Sequence, residues 1–132
     1  MQTTRMNPST VAPPVGTYSQ VVRVETPDTN WIYVSGQVAL DAQGTLVGPN
    51  DMRAQTRQVF ENLRAILEAN GATFDDVVKV TTYVTTLDDV EGMREERGRS
   101  LSALPASTAV QVSALFVPEA VIEVDLVAVT PA

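Results

Sequence analysis

The residue of this chain best suited to acid–base chemistry is Glu123. It stands inside the apolar run VIEVDLV of residues 121–127, where a carboxylate is costly unless a partner compensates for its burial. Partial burial would raise the pKa of this carboxyl group toward the range that is useful for proton transfer. The competing interpretation is a solvent-facing strand position, because Asp125 follows two residues later on the same face. The residues alone favour this second interpretation.

Two residue types are absent, and their absence restricts the chemistry. The sequence contains no cysteine and no histidine, which excludes disulfides, a thiolate nucleophile, a histidine-containing zinc site and a Ser-His-Asp triad. Proton transfer at neutral pH therefore depends on a carboxylate, a tyrosine or Lys79, the only lysine. A site for Mg²⁺ or Ca²⁺ made of carboxylates alone stays open, but no clustered acidic loop is present. We predict no metal and no cofactor.

Three short polar segments contain further candidates for ligand contacts. Tyr18 lies in Gly-Thr-Tyr-Ser-Gln, Ser35 and Gly36 lie in Ser-Gly-Gln after an apolar stretch, and Ser107 and Thr108 follow a proline. A lone tyrosine is more often a packing residue with a hydrated hydroxyl, and serine and glycine commonly end strands. Taken alone, each segment is a weak signal.

Two arginines of a predicted helix are candidate cations for a binding site. Arg97 shares a helical stripe with the apolar Val90, Met93 and Leu101, so it faces the side that should meet the sheet. Arg94 is three residues from a glutamate, a spacing typical of a solvated pair that contributes only tenths of a kcal/mol. We prefer the solvated interpretation for Arg94 and leave open whether Arg97 reaches a binding site.

Composition and charge limit the classes of partner. Nine Lys and Arg residues against sixteen Asp and Glu give a net charge of −7, which repels the phosphate backbone of nucleic acids. The longest apolar runs are far shorter than the roughly 20 residues of a membrane span, and the first residues lack the apolar core of a signal peptide. We expect one domain over residues 1–132, a cytoplasmic location, and neither nucleic-acid binding nor membrane association.

Hydrophobic periodicity predicts two helices among several short strands. The most secure element is a helix that begins at Asn50 or Asp51 and ends near Asn70, because its apolar residues recur at helical spacing. Residues 1–14 are predicted to be an irregular lead-in with room for a short edge strand. The other predicted elements are strands at 18–25, 31–39 and 78–85, a helix at 90–104, and strands at 109–115 and 121–129.

The order ββαβαββ predicts an α+β fold in which two helices gather on one face of a mixed sheet. The strands near the end of the chain carry apolar side chains, among them Val110, Val112, Val127 and Val129, and these cannot all lie on the face that the helices cover. We therefore expect part of the open face to meet another subunit.

Three segments together resemble one known family. They are VGTYSQ at 15–20, IYVSGQ at 32–37 and LPASTAVQVSALFVPEAVIEVDLVAV at 104–129, and they resemble the RidA/YjgF family of reactive-intermediate (enamine/imine) deaminases. The resemblance implies a chorismate-mutase-like fold and a homotrimer that binds small molecules in clefts between subunits. It also implies that Glu123 positions the hydrolytic water and that Tyr18, Ser35 and Gly36 line the cleft.

One departure from the family pattern bears on the substrate. Deaminating relatives have a segment like Pro-Ala-Arg-Ser, in which the arginine holds a substrate carboxylate, whereas residues 105–108 read Pro-Ala-Ser-Thr here. Ser107 thus offers a neutral hydroxyl in place of a charged fork, and binding of an imino-acid carboxylate should weaken by about 1.5–3 kcal/mol. Arg94 stands where such relatives have an asparagine near the cleft, and either Arg94 or Arg97 could supply the missing charge.

Two functions of different classes follow from these residues. The first is a hydrolase, resembling a deaminase, that acts on an imine, an enamine or a related metabolite but is inefficient with 2-imino acids. The second is a non-catalytic trimeric protein that binds a metabolite or a protein partner. Some relatives are described as ribonucleases, a function that the net negative charge disfavours here.

Overall fold

A computed structural model describes all residues, 1–132, as one six-stranded sheet with two helices on one face. The sheet order is β1-β2-β3-β6-β4-β5, and every neighbouring pair is antiparallel except β4 and β5. The elements are β1 (Gln2–Met6), β2 (Val21–Glu25), β3 (Thr29–Gln37), α1 (Met52–Glu68), a 3-10 turn (Phe74–Asp76), β4 (Val77–Val84), α2 (Val90–Gly98), β5 (Ala106–Gln111) and β6 (Ile122–Pro131). The predicted α+β architecture is confirmed.

Helix α1 forms the main layer over the sheet. The carboxylate of Asp51 caps it by accepting from the backbone N–H of Ala54 at 3.0 Å, as expected for a helix that begins at this residue. Its fully buried residues include Val59, Leu63 and Ile66, which recur at helical spacing on the face that meets the sheet. No helix of the protein combines the length and the apolar composition that a membrane span requires.

Helix α2 is held against α1 by one buried carboxylate. Glu96 is 4% exposed, and its Oε1 accepts from Nη2 of Arg57 at 2.7 Å. That hydrogen bond, followed by the charges of the surrounding arginines, lowers the pKa of Glu96. The ion pair fixes the helix that carries Arg97.

The two faces of the sheet differ because side chains alternate along each strand. On β6, Ile122, Val124, Leu126 and Ala128 are buried beneath the helices, and the residues between them are only partly buried on the opposite face. Strand β3 places Trp31 and Tyr33 on that opposite face, where they are 39% and 46% exposed. The face away from the helices, which we call the open face, therefore carries aromatic and valine side chains.

Several boundaries differ from the predictions, whereas residues 2–6 form edge strand β1, for which the predicted lead-in left room. Strand β2 begins at Val21 instead of residue 18, since the backbone N–H of Gln20 bonds the side chain of Asn7 and not a strand, and Tyr18 therefore lies in a loop. Strand β3 covers Thr29–Gln37 instead of 31–39. The second helix ends at Gly98 instead of near residue 104, since glycine is a poor helix former and Leu104 adopts a positive φ of 55° before the proline. Strand β5 consequently begins at Ala106 instead of 109 and ends at Gln111.

Candidate functional site

A cavity of about 470 Å³ opens where the Tyr18 loop meets the ends of β3 and β6. Its volume lies in the range of small-molecule pockets, and most of its wall is apolar. The lining residues are Val15, Gly16, Tyr18, Ser35, Gly36, Val38, Phe116, Val117 and Glu123. The structure thus brings together four of the site residues predicted from the sequence, namely Tyr18, Ser35, Gly36 and Glu123.

Glu123 is the only carboxylate that lines this cavity. Its side chain is half-buried, and burial, followed by the nearby negative charge of Asp125, raises its pKa. Asp125 accepts a hydrogen bond from the hydroxyl of Tyr83 at 3.1 Å, whereas no protein group donates to the Glu123 carboxylate. The Glu123 oxygens are therefore free to bind water or a ligand.

A β-bulge in β3 creates the close contact between Gly36 and Glu123. Val34 opposes Leu126 and Gln37 opposes Val124, so Ser35 and Gly36 together face a single residue of β6. A Cβ atom at position 36 would overlap the Glu123 carboxylate and lie 2.9 Å from its Cδ. Glycine at position 36 thus leaves the carboxylate the space that it occupies, and a larger residue there would displace it.

Hydrogen bonds connect the bulge to the loop that carries Tyr18. The Ser35 hydroxyl donates to the carbonyl oxygen of Ser19 at 2.6 Å, and the Ser35 backbone N–H donates to the carbonyl oxygen of Gln20 at 2.9 Å. The amide of Gln37 donates to the side-chain oxygen of Gln20 at 2.6 Å, and both glutamines are buried. These contacts hold Tyr18, which is 45% exposed, at the mouth of the cavity.

The sequence interpretation missed two groups of residues that shape the cavity. Gln20 and Gln37 end the two recognised segments, and their burial as a hydrogen-bonded pair could be inferred only from the pairing of those segments in space. Phe116 and Val117, in the loop before β6, form an apolar wall. Phe116 is fully exposed, and apolar residues in a loop follow no periodicity that would mark them as a site.

Ser107 and Thr108 lie outside this cavity, on edge strand β5. Ser107 opposes Val80 of β4, a buried residue, and its hydroxyl accepts from Nη2 of Arg97 at 2.6 Å on the helix side of the sheet. Thr108 faces the other side, where its hydroxyl accepts from Nζ of Lys79 at 2.7 Å. The structure therefore joins Arg97 to Ser107, but not to the cavity of the same chain.

Arg94 contacts neither the residues that line the cavity nor Ser107 and Thr108. It is exposed on the surface of α2 and pairs with Glu91 across a distance of 2.9 Å. This is the solvated ion pair that the spacing in the sequence favours, and it places the guanidinium away from the cavity lining.

Comparisons with known proteins agree with this fold. The family model Endoribonuclease L-PSP matches residues 9–130. A RutC family protein of Pyrococcus abyssi is 41% identical over 103 residues, which are 77% of this chain and 78% of that protein. A 2-iminobutanoate/2-iminopropanoate deaminase of Mus musculus is 36% identical over 102 residues, which are 76% of this chain and 73% of that protein.

Among solved structures, RidA from the Antarctic bacterium Psychrobacter sp. PAMC 21119 superposes with a TM-score of 0.83. It is 35% identical in sequence, and the match covers 95% of this chain and 98% of that one. The fold and the cavity thus define a class of small α+β proteins with a ligand-sized pocket at the end of the sheet. The chain belongs to the RidA/YjgF family, which the Endoribonuclease L-PSP model describes.

Proposed function

We propose that this protein hydrolyses an imine, an enamine or a related metabolite to a carbonyl compound and ammonia. The observation that carries the proposal is Glu123, a half-buried carboxylate with a raised pKa and no protein donor, in a cavity sized for a small molecule. A raised carboxyl pKa favours proton transfer near neutral pH. The deaminase relative supports the same class of reaction.

The reaction consumes one water molecule and starts from the protonated imine. As the water oxygen bonds to the C=N carbon, Glu123 accepts a proton from that water, and the electron pair of the double bond moves to the nitrogen. Glu123 then returns this proton to the nitrogen of the tetrahedral adduct. As the C–N bond breaks and the C=O bond forms, the remaining hydroxyl proton passes through Glu123 to the departing ammonia, so that the protonated imine and water give a carbonyl compound and ammonium. Tyr18 lines the mouth of the cavity, and in this proposal its hydroxyl hydrogen-bonds the substrate.

We propose that the complete site lies between subunits of a homotrimer. The cavity is open on the side of the Tyr18 loop, and the open face of the sheet carries apolar side chains with no cover within the chain. Ser107 of a neighbouring subunit would then contribute its hydroxyl to the cleft. Because that hydroxyl carries no charge, we expect 2-imino acids to be poor substrates.

A non-catalytic trimer that binds a metabolite is the alternative function. The specific observation in its favour is Ser107, since loss of the strand arginine removes a charged substrate contact while the cavity remains. Such a protein would bind a carbonyl or imine ligand in stoichiometric amount without releasing ammonia. Fold alone does not separate the two functions.

The test is turnover by a Glu123→Gln variant. Imines generated in situ from amines and amino acids by oxidases serve as substrates, and ammonia release above the spontaneous rate is the measurement. Glu123→Gln keeps the shape of the side chain, and we expect it to lower turnover by roughly 10²-fold or more. The matched control is Asp125→Asn on the same strand, outside the cavity lining, which should retain most of the activity.

Two outcomes would contradict this assignment. Equal activity of the wild type and Glu123→Gln would return Glu123 to the solvent-facing interpretation. Ligand binding without ammonia release by the wild type, over the whole panel of imines, would favour the non-catalytic alternative.

A further inference from the structure

Arg97 differs from the other arginines of helix α2 and its C-cap. Arg94 and Arg99 each form an ion pair with a glutamate of the same helix. The side chain of Arg97 has no carboxylate partner, and its only hydrogen bond goes to the hydroxyl of Ser107 at 2.6 Å. Its Nε is buried without an acceptor. The guanidinium therefore has donors that no group of this chain satisfies.

An unpaired, half-buried guanidinium favours binding of an anion. Burial lowers the pKa of Arg97, yet an arginine side chain stays protonated in proteins. Its charge is costly in a partly desolvated site unless an opposite charge pairs with it. The planar fork matches the two oxygens of a carboxylate better than it matches a single hydroxyl.

A second cation without a carboxylate partner lies at the same edge of the sheet. Nζ of Lys79 bonds the hydroxyl of Thr108 at 2.7 Å, and Thr108 is adjacent to Ser107. Strand β5 is exposed along its whole length. Thr108 and Lys79 lie on the open face, however, whereas Ser107 and Arg97 lie on the helix side of the sheet. Lys79 is therefore not part of the site at Arg97, and the assignment of an anionic ligand rests on Arg97.

Within one chain this edge is too far from the cavity to contact the same ligand. Ser107 opposes Val80, and Val80 opposes Leu126, which lies three residues from Glu123. Three residues along a strand and two strand spacings across the sheet separate the backbones by roughly 14 Å. In addition, Ser107 points to the helix side and Glu123 to the open face. A ligand can contact both only where a second copy of the chain brings them together.

We propose that Arg97, fixed by Ser107, binds the anionic group of the substrate whose reacting carbon lies at Glu123 of the neighbouring subunit. This inference rests on the proposed function and adds the class of substrate. The guanidinium lies on the helix side of β5, so the anion must reach past the edge strand. The substrate is accordingly an anionic imine or enamine with a spacer between the anion and the reacting carbon, unlike a 2-imino acid.

The first experiment measures binding and needs no turnover. The probes are 4-oxopentanoate, a ketone with a spacer and a carboxylate, and its neutral methyl ester, and calorimetry gives both affinities. We expect the wild type to bind the anion at least about 10-fold more tightly, as for a charge-assisted hydrogen bond. Arg97→Gln should lose this preference and Arg97→Lys should keep part of it, whereas the control Arg94→Gln should retain it.

These results separate the inference from the proposed function. Glu123→Gln should preserve the preference for the anion even if it abolishes turnover, because Glu123 does not contact the anionic group. An unchanged preference in Arg97→Gln, or no preference in the wild type, would overturn the inference whatever the enzyme assay gives.

The second experiment tests whether the two ends of the site come from different subunits. Gly36→Val would place a side chain in the space of the Glu123 carboxylate and abolish binding at that end. When Gly36→Val and Arg97→Gln are refolded together in equal amounts, each mixed trimer should hold one intact site of three, which is about one quarter of the sites averaged over all trimers. Recovery of 4-oxopentanoate binding near that level supports the arrangement between subunits. No recovery contradicts it, provided that circular dichroism shows both variants to be folded.

Discussion

At the scale of single residues, burial of Glu123 destabilises the folded chain and at the same time suits the carboxylate to proton transfer. The half-buried position and the charge of Asp125 both disfavour the ionised form. The same arrangement keeps the carboxylate beside a cavity and without a protein donor. A residue that weakens the fold but faces a pocket is more easily explained by chemistry than by packing.

The raised pKa of Glu123 predicts how activity depends on pH. If ionised Glu123 accepts the proton of water, kcat/KM should rise with pH along a limb whose midpoint lies above the ordinary glutamate value of about 4.3. Asp125→Asn removes a nearby negative charge and should move this limb to lower pH. A limb that keeps its midpoint in Asp125→Asn and also persists in Glu123→Gln would assign the titration to another group.

The raised pKa of Glu123 also predicts how the stability of the folded protein depends on pH. The pKa of Glu123 is higher in the folded state than in the unfolded state, so the folded state binds the proton more tightly. The free energy of unfolding therefore falls as the pH rises from the unfolded-state pKa through the folded-state pKa. Glu123→Gln removes the cost of ionisation. Its free energy of unfolding at pH 7 should therefore equal or exceed that of the wild type, with a difference that disappears below the ordinary pKa of glutamate.

At the scale of elements, the loop before β6 depends on one residue of helix α1. The amide of Gln55 is fully buried, donates to the carbonyl oxygens of Gly48 and Glu119, and accepts from the backbone N–H of Val121. Those contacts join residues 119–121, just before β6, to the loop that precedes α1. The cavity wall formed by Phe116 lies in the same loop.

Gln55→Leu should destabilise the protein by about 1–3 kcal/mol, because it leaves the backbone N–H of Val121 without a partner. The carbonyl oxygens of Gly48 and Glu119 each lose one hydrogen bond but still accept from the backbone N–H groups of Asp51 and Asn50. Chemical denaturation measures this change. The matched control is Gln58→Leu on the same helix, where the amide bonds only a neighbouring asparagine side chain, and a change within about 0.5 kcal/mol is expected. Weaker ligand binding by Gln55→Leu under conditions where it remains folded would link the loop to the cavity.

Long periodic segments could be predicted from the sequence, and short irregular ones could not. Helix α1 has four turns of apolar periodicity and an aspartate cap, so local and tertiary preferences agree there. The bulge at Ser35 and Gly36 adds one residue that the period of two does not reveal. Glu123 could be proposed from its apolar neighbours and from the family resemblance, whereas the contact of Arg97 with Ser107 depends on where helix α2 ends.

At the scale of the whole molecule, no element of the chain covers the apolar side chains on the open face of the sheet. Trp31 and Tyr33 are 39% and 46% exposed, and Val127 and Val129 pair beside them on β6. Contiguous apolar surface of this kind usually marks an interface between proteins. Because Glu123 lies on the same face, an interface here would also enclose the cavity.

We therefore expect a homotrimer in solution, which light scattering at micromolar concentration measures directly. Tyr33→Asp places a charge at the centre of the open face and should shift the assembly toward monomers, since an unpaired charge is costly in a buried interface. Gln58→Asp introduces the same charge on helix α1 and should leave the trimer intact. If the wild type is a stable monomer, Arg97 and Glu123 cannot contact the same ligand, and the proposal of a site between subunits is wrong. If Tyr33→Asp stays trimeric and folded, the subunits associate through a surface other than the open face.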